Sequence, residues 1–108
     1  MIVEERIYVL HCDASMAEFL RIYEAEGLEV QTATLGNMLG YFTTEIGVQN
    51  QLVHLWGYSD LEDRRVRRAK LLGNPRWQAC MTKVKPMIRT MENRILLPTR
   101  FSPIGGAA

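Results

Sequence analysis

Three side chains near the middle of the chain, Glu45, His54 and Trp56, are the first candidates for a functional site. A carboxyl group on mostly buried surface has a raised pKa, which suits a general base, and a neutral imidazole can accept or relay a proton. Buried charged groups are usually paired, so a Glu–Arg pair and a satisfied core histidine explain the same residues without any chemistry. The residue types therefore leave a functional site and a structural polar pair both open.

A run of basic side chains follows these residues. On a helix, Arg64 and Arg68 share one face, and Arg67 lies beside them. The run is compatible with a solvated helix face, with ion pairs directed inward to groups such as Glu45, or with a surface for an anionic ligand or RNA. Acidic residues flank the run closely and aromatic residues are not interleaved with it, which disfavours nucleic acid. The run comprises Arg64, Arg65, Arg67, Arg68 and Lys70.

Two predicted strands position the central candidates. Residues 38–46 and 51–58 are rich in β-branched and aromatic types, and the segment 47–50 between them has the length of a turn. The pattern therefore predicts a β-hairpin. Because side chains alternate along a strand, His54 and Trp56 lie on the same face of the second strand.

We expect this hairpin to bring Glu45 close to His54, because long side chains reach their diagonal neighbours on the adjacent strand. An arginine of the following helix would then be the charge partner, and aromatic rings would form the apolar walls of a cavity for a small organic ligand. Glu45 and His54 are also the candidates for catalysis. The expected ligand-binding residues are Tyr41, Glu45, His54, Trp56, Arg64 and Arg68.

The rest of the chain predicts further strands and helices on both sides of the hairpin. Ser15, with Glu18 three residues later, is typical of a helix N-terminus, and apolar residues then recur with helical spacing. Pro86 is expected to break a second helical pattern. The predicted elements are a strand over 2–11, a helix from 16 with 28–35 as its continuation or a looser segment, strands over 38–46 and 51–58, a helix over 60–72, a helical pattern over 75–91 interrupted near 85, and a strand over 92–97.

The order of these elements, β-α-β-β-α-β, is that of a ferredoxin-like α+β domain, an antiparallel sheet with helices on one face. The strand over 51–58 is apolar on both faces, with Val53 and Leu55 on one and Leu52 and Trp56 on the other. We therefore expect both faces of the sheet to be buried, one under the helices and the other against a second subunit.

Length and composition are those of an ordinary globular domain, with 108 residues, 47% hydrophobic and 23% charged residues, and a net charge of +1. Residues 1–103 are predicted to form one domain, and 104–108 a flexible tail. The near-zero charge, the lack of a long apolar run and the lack of a secretory pattern at the N-terminus predict a cytoplasmic protein that binds neither nucleic acid nor membrane.

Motifs for metals and cofactors are absent from the sequence. The two cysteines, Cys12 and Cys80, form no CxxC pair, and the two histidines, His11 and His54, belong to no metal-binding cluster. The glycines match no phosphate-binding, dinucleotide-binding or nucleophile-elbow motif. We therefore predict no metal, no disulfide and no cofactor.

A series of short motifs, most of them between residues 40 and 77, forms a more specific pattern. The motifs are Gly40-Tyr41-Phe42-Thr43-Thr44-Glu45-Ile46-Gly47, Asn50-Gln51, His54-Leu55-Trp56, Leu61-Glu62-Asp63-Arg64, Arg67-Arg68, Pro75 with Trp77, Asn93-Arg94-Ile95-Leu96 with Pro98, and Phe101-Ser102-Pro103. Together they resemble the signature of the NIPSNAP family, over roughly residues 5 to 103.

This resemblance implies a dimeric α+β barrel, in which two ferredoxin-like subunits pair sheet to sheet, and hence a homodimer. Related dimeric α+β barrels include cofactor-independent monooxygenases and haem-binding proteins. Three functions follow by analogy of fold. The chain binds a small organic ligand between sheet and helices, or is a structural or protein-interaction module without catalysis, or is a cofactor-independent monooxygenase-like enzyme.

Overall fold

An antiparallel sheet and the helices packed against it form the chain, in a computed structural model that describes residues 1–106. The order of the elements is the ferredoxin-like α+β order predicted from the sequence, with a pair of helices at each helical position. The strands are β1 (Ile2–Leu10), β2 (Asn37–Thr43), β3 (Gln51–Tyr58) and β4 (Ile88–Leu96). The helices are α1 (Met16–Glu26), α2 (Leu28–Leu35), α3 (Leu61–Leu72) and α4 (Pro75–Val84), and a 3₁₀ turn, Lys85–Met87, follows α4.

Strand register places polar and aromatic side chains in rows across the sheet, whose strand order is β2-β3-β1-β4. Arg6 of β1 lies opposite His54 of β3 and Asn93 of β4, and Tyr41 of β2 lies opposite His54. Directly paired residues point to the same side of a sheet, so these four form one row. The two adjacent rows are Met38, Trp56, Glu4 and Ile95, and Thr43, Leu52, Tyr8 and Met91.

The hydrophobic core lies between these rows and the helices. Leu52 and Trp56 of β3 are fully buried, and they belong to one cluster with side chains from all four helices. The helical members of that cluster are Phe19, Tyr23, Val30, Leu35, Leu71, Trp77, Cys80 and Val84. The helices therefore cover the face of the sheet that carries Glu4, Arg6 and Tyr8.

The helix starts follow the capping chemistry of the sequence. Ser15 Oγ accepts a hydrogen bond from the Glu18 backbone N–H at 3.1 Å, and Asp60 Oδ1 accepts one from Asp63 at 2.7 Å. Asn74 caps α4, with Pro75 as its first residue. These side chains satisfy donors that the first turn of a helix leaves unpaired.

Two predicted strand boundaries are wrong. β2 ends at Thr43 rather than at 46, and the loop that follows it contains Gly47 and Asn50 with positive φ angles of 137° and 54°. The Asn50 side-chain amide holds this loop by donating to the backbone carbonyls of His11 and Ala14. The loop over residues 44–50 replaces the shorter turn, 47–50, that the sequence predicted.

The last strand begins earlier than predicted, at Ile88 rather than at 92. Pro86 does end the helical pattern, since α4 stops at Val84, but the chain then pairs with β1 at once, with Ile88 opposite Leu10 and Met91 opposite Tyr8. The predicted continuation of helical spacing to Met91 is therefore wrong.

The other face of the sheet carries aliphatic side chains that the helices do not cover. Val53 and Leu55 are partly exposed there, and Phe42, paired with Val53, is 56% exposed. Residues 97–106 cover only the end of this face, where Val3 and Leu55 help to line a depression of about 300 Å³. In that segment Ser102 Oγ accepts a hydrogen bond from the Ile104 N–H. The predicted flexible tail, 104–108, includes residues 107–108, which lie outside the described residues.

The two cysteines differ in their exposure to solvent. Cys12 is exposed and Cys80 is buried, and burial raises the pKa of the Cys80 thiol. Within residues 1–106, metal-ligating side chains form no cluster of three or more. Over the same residues, no helix has the length and the apolar character needed to cross a membrane.

Candidate functional site

A buried carboxylate, Glu4, lies on the helix-covered face of the sheet. Its Oε2 accepts hydrogen bonds from Arg6 Nη1 at 3.1 Å, Arg64 Nη2 at 2.7 Å and Asn93 Nδ2 at 2.8 Å. Burial alone would raise the pKa of Glu4, but the bonds from Arg64 and Asn93 and the positive charge of Arg6 outweigh it and hold the pKa below its usual range. Glu4 therefore acts as the counterion of two arginines and stays ionised near neutral pH.

His54 is fixed beside this charge cluster by aromatic rings. Its Nδ1 accepts a hydrogen bond from Trp56 Nε1 at 2.7 Å, and its ring stacks on Tyr41 with centroids 4.6 Å apart. The Nε2 atom therefore carries the proton of the neutral ring. Burial, and then the positive charge of Arg6, lowers the pKa of His54 to about 3. An imidazole with so low a pKa is a weak base, and general acid–base catalysis by His54 near neutral pH is not favoured.

The aromatic stack continues from the sheet into the helices. Tyr23 of α1 stacks on Tyr41 with centroids 5.1 Å apart, and its hydroxyl donates a hydrogen bond to Gln31 of α2. Burial raises the pKa of both tyrosines, so both hydroxyls stay protonated. The stack thus joins β2 and β3 to the first pair of helices.

A cavity of about 210 Å³ lies next to these groups, between the sheet and the helices. Its floor includes Arg6 and Tyr8, which alternate on β1, and Met91, which pairs with Tyr8. The opposite wall comes from α3 and α4. Residues four apart on a helix point the same way, so Arg68 and Leu72 of α3 both reach the cavity.

The wall formed by α4 combines an aromatic ring, a thioether and an amide. Trp77, Gln78 and Met81 line the cavity, and Lys85 lies one turn beyond Met81 in the 3₁₀ turn. Gln31 completes the lining from α2. This set offers apolar surface with a few polar groups, which is the composition of a small-molecule site.

The charged side chains that line the cavity are all positive. Its lining contains Arg6, Arg68 and Lys85 but neither aspartate nor glutamate. Arg68 is partly buried, and no hydrogen bond or ion pair within residues 1–106 involves its guanidinium group. Burial, and then the neighbouring charge of Arg6, lowers the pKa of Arg68. The cavity is therefore suited to a negatively charged group.

The structure brings five of the six predicted site residues to the same face. Tyr41, His54 and Trp56 form the aromatic part, while Arg64 and Arg68 approach from α3. Of these five, Arg68 is the one that lines the cavity. The basic run therefore has two sides. Arg64 and Arg68 face the sheet, whereas Arg65 points outward and pairs with Glu62 at 2.5 Å.

The predicted approach of Glu45 to His54 is wrong. Glu45 is exposed in the loop 44–50, two residues past the end of β2, and His54 pairs with Tyr41 instead. The predicted ion pair of Glu45 with an arginine of α3 is wrong for the same reason. Glu4 of β1 takes that place and pairs with Arg64.

Sequence reasoning missed the polar face of β1, and a signal for it existed. Glu4, Arg6 and Tyr8 alternate in the segment IVEERIYVL, which is the pattern of three side chains on one face of a strand. The adjacent Glu5 obscured the alternation. The contributions of Trp77 and Met81 had no comparable signal, because their helical spacing is also that of ordinary core residues.

The sequence model of one protein family matches most of the chain. Residues 3–103 match the sequence model of the NIPSNAP family. The chain belongs to the NIPSNAP family. Protein NipSnap from Drosophila melanogaster is 39% identical over 62 residues, which cover 57% of this chain and 23% of that protein. The homolog from Dictyostelium discoideum is 36% identical over 58% of this chain and 28% of its own length. The matched segment thus spans only about a quarter of the length of each of these two relatives.

Solved structures match the chain over almost its full length. A NIPSNAP family protein from Agrobacterium tumefaciens is 48% identical, with a TM-score of 0.91 over 95% of this chain and 97% of that one. A NIPSNAP-like domain protein from Burkholderia xenovorans is 52% identical, with a TM-score of 0.90 over 94% and 88%. A putative antibiotic biosynthesis monooxygenase from Nitrosomonas europaea is 10% identical, with a TM-score of 0.66 over 91% and 98%, and shares the fold alone. These relatives establish no reaction for the NIPSNAP family.

Proposed function

We propose that this chain binds a small organic molecule in the cavity between its sheet and its helices. The cavity, of about 210 Å³, is the observation that carries the proposal. An apolar cavity of about 150 Å³ accommodates benzene. The volume here is therefore sufficient for a single ring with a small substituent.

The chemistry of the lining supports the same proposal. Trp77, Met81 and Met91 offer polarisable apolar surface, and the amides of Gln31 and Gln78 offer donors and acceptors. The alternative to this proposal is a structural or interaction module whose cavity binds no organic ligand.

We also propose that two copies pair through the faces of the sheet opposite the helices. Val53 and Leu55 lie partly exposed there, with Phe42 beside them. A second copy would cover these side chains and leave the ligand cavity, on the helix side, untouched. The family resemblance and the fold support this arrangement.

Methionine methyl groups offer a direct test of ligand binding, because Met81 and Met91 line the cavity and Met16 and Met38 do not. The protein is labelled at the methionine methyl carbons and titrated with single-ring compounds, both charged and neutral. We expect saturable shifts of the Met81 and Met91 signals and constant signals for Met16 and Met38.

Two results would contradict the proposed function. One is the absence of any shift at Met81 and Met91 with every compound at millimolar concentration. The other is weak, unsaturable shifting of all methionine signals alike, which indicates general surface association. Either result would favour the structural module.

A further inference from the structure

We infer that the ligand is an organic anion, a carboxylate carried on a single ring, and that Arg68 is the residue that binds its charged end. The inference rests on the proposed function, since it names the class of molecule that the same cavity takes. It follows from the charges of the lining and from the hydrogen bonds that the arginines already make.

The first step is the charge imbalance of the cavity. Arg6, Arg68 and Lys85 line it, and no acidic side chain does. Glu4, the nearest buried carboxylate, is already shared by Arg6 and Arg64. Glu4 is therefore the single negative charge for three arginines, Arg6, Arg64 and Arg68. The positive charge that it leaves unbalanced favours an anion in the cavity.

The second step separates the arginines by their partners. Arg64 donates from Nη2 to Glu4, and Arg6 donates from Nη1 to Glu4 and from Nε to the Tyr8 hydroxyl at 3.1 Å. Arg68 makes no such bond within residues 1–106. Its planar guanidinium can therefore form two parallel hydrogen bonds with one carboxylate, the geometry that arginine favours.

The third step concerns groups that would assist Arg68. The Tyr8 hydroxyl accepts the bond from Arg6 and keeps its own proton for donation to an anion. Trp77 and Met81 lie on the α4 side of the same cavity and would contact the ring of the ligand. The volume of about 210 Å³ limits the ligand to one ring.

The fourth step is the route into the cavity. Gln78, Met81 and Lys85 also line an open groove at the C-terminal end of α4, together with Thr82 and Pro86. The cavity and the groove therefore meet at these three residues. Lys85 at the mouth would attract an anion from solvent, and this attraction weakens as salt screens it.

The experiment compares matched acids and amides. Benzoate with benzamide, and phenylacetate with phenylacetamide, are titrated against the labelled protein, with the Met81 and Met91 methyl signals as the measure of binding. We expect each acid to bind about tenfold or more tightly than its amide, because the amide cannot form the charged pair. We expect Arg68→Gln to abolish this preference. Arg65→Gln, on the exposed side of α3, is the control and should keep it.

A salt series on the unaltered protein tests the inference without a variant. Acid binding should weaken between low and high salt, and amide binding should not. Equal affinity of acids and amides, with clear shifts at Met81 and Met91, would overturn the anion inference and leave the proposed function intact. An acid preference that survives in Arg68→Gln would overturn the role of Arg68. No binding by any of the four probes would contradict both.

Discussion

Among single residues, Glu4 is expected to have a large effect on stability. It is fully buried and accepts hydrogen bonds from Arg6, Arg64 and Asn93. Breaking a buried ion pair costs about 3–5 kcal/mol, because the remaining charge stays buried without a partner. We expect Glu4→Gln to lower the free energy of unfolding by an amount in that range, measured by urea denaturation at pH 7.

Arg64→Met tests the same network from the other side. Loss of one charged hydrogen bond to Glu4 is expected to cost about 2 kcal/mol, since Arg6 and Asn93 remain as donors. The exposed Arg65→Met is the matched control on α3 and should leave the free energy of unfolding nearly unchanged, because solvent screens its ion pair with Glu62. Equal effects of the Arg64 and Arg65 variants would contradict the proposed importance of the buried pair.

His54 makes a prediction about pH. Its pKa is lowered from an ordinary value of 6.5 to about 3, chiefly by burial, so the unfolded chain binds a proton that the folded chain excludes between these values. The stability contributed by neutral His54 is complete above pH 6.5 and is lost as the pH falls. We expect the free energy of unfolding to fall by about 2 kcal/mol between pH 7.5 and pH 5. The limiting slope of this free energy against pH is about 1.4 kcal/mol per pH unit.

Between pH 7.5 and pH 5, the charged neighbours of His54 in the folded protein do not change their protonation. Arg6 and Arg68 stay protonated, and Glu4, with its lowered pKa, stays ionised. His54→Gln retains a side-chain acceptor for Trp56 and should unfold with a flatter pH dependence over the same range. An unchanged pH slope in His54→Gln would assign the effect to other groups.

At the scale of elements, Gly27 controls how closely the first helices approach α4. A Cβ at this position would lie 2.8 Å from Cys80 Sγ and 3.2 Å from the Trp77 ring. We expect Gly27→Ala to destabilise the protein by about 1–3 kcal/mol through overpacking. Thermal unfolding of Gly27→Ala, Cys80→Ala and the double variant gives the coupling between the sites.

Removing the sulfur should relieve the clash, so the double variant is expected to be more stable than the sum of the two single effects predicts. Strict additivity would show that the helix packing at Gly27 does not depend on contact with Cys80.

Most elements were predictable from local sequence, because their starts depend on neighbouring residues. Ser15, Asp60 and Asn74 cap their helices by bonds to residues two or three positions away. The ends of β2 and β4 were not predictable, because they depend on distant contacts. Asn50 holds the loop after β2 by bonding to residues 36 and 39 positions earlier, and Ile88 becomes a strand residue by pairing with Leu10.

The candidate site was predictable only in part for the same reason. The alternation of β3 correctly placed His54 and Trp56 together, and helical spacing correctly placed Arg64 and Arg68 on one side. The carboxylate that pairs with Arg64, Glu4, lies 60 residues from it in the chain. Strand order, which no local pattern reveals, decides that Glu4 of β1, rather than Glu45 after β2, reaches Arg64 of α3.

At the scale of the whole molecule, the uncovered sheet face predicts self-association. We expect sedimentation at micromolar concentration to give a dimer and Val53→Asp to give a monomer, because an unpaired charge would be desolvated at the interface. Leu61→Asp, at a position 61% exposed on α3, is the control and should stay dimeric. A folded, unaltered chain that sediments as a monomer would contradict this assembly.

The central claim, that the cavity beside Arg68 binds an organic anion, is tested most directly by a crystal structure with 4-bromobenzoate. The anomalous signal of bromine locates the ring independently of any interpretation of the density. The account predicts bromine in the cavity lined by Trp77 and Met81, with the carboxylate oxygens about 3 Å from the Arg68 guanidinium. Bromine found only on the outer surface, with the cavity empty or closed by side chains at saturating ligand, would contradict it.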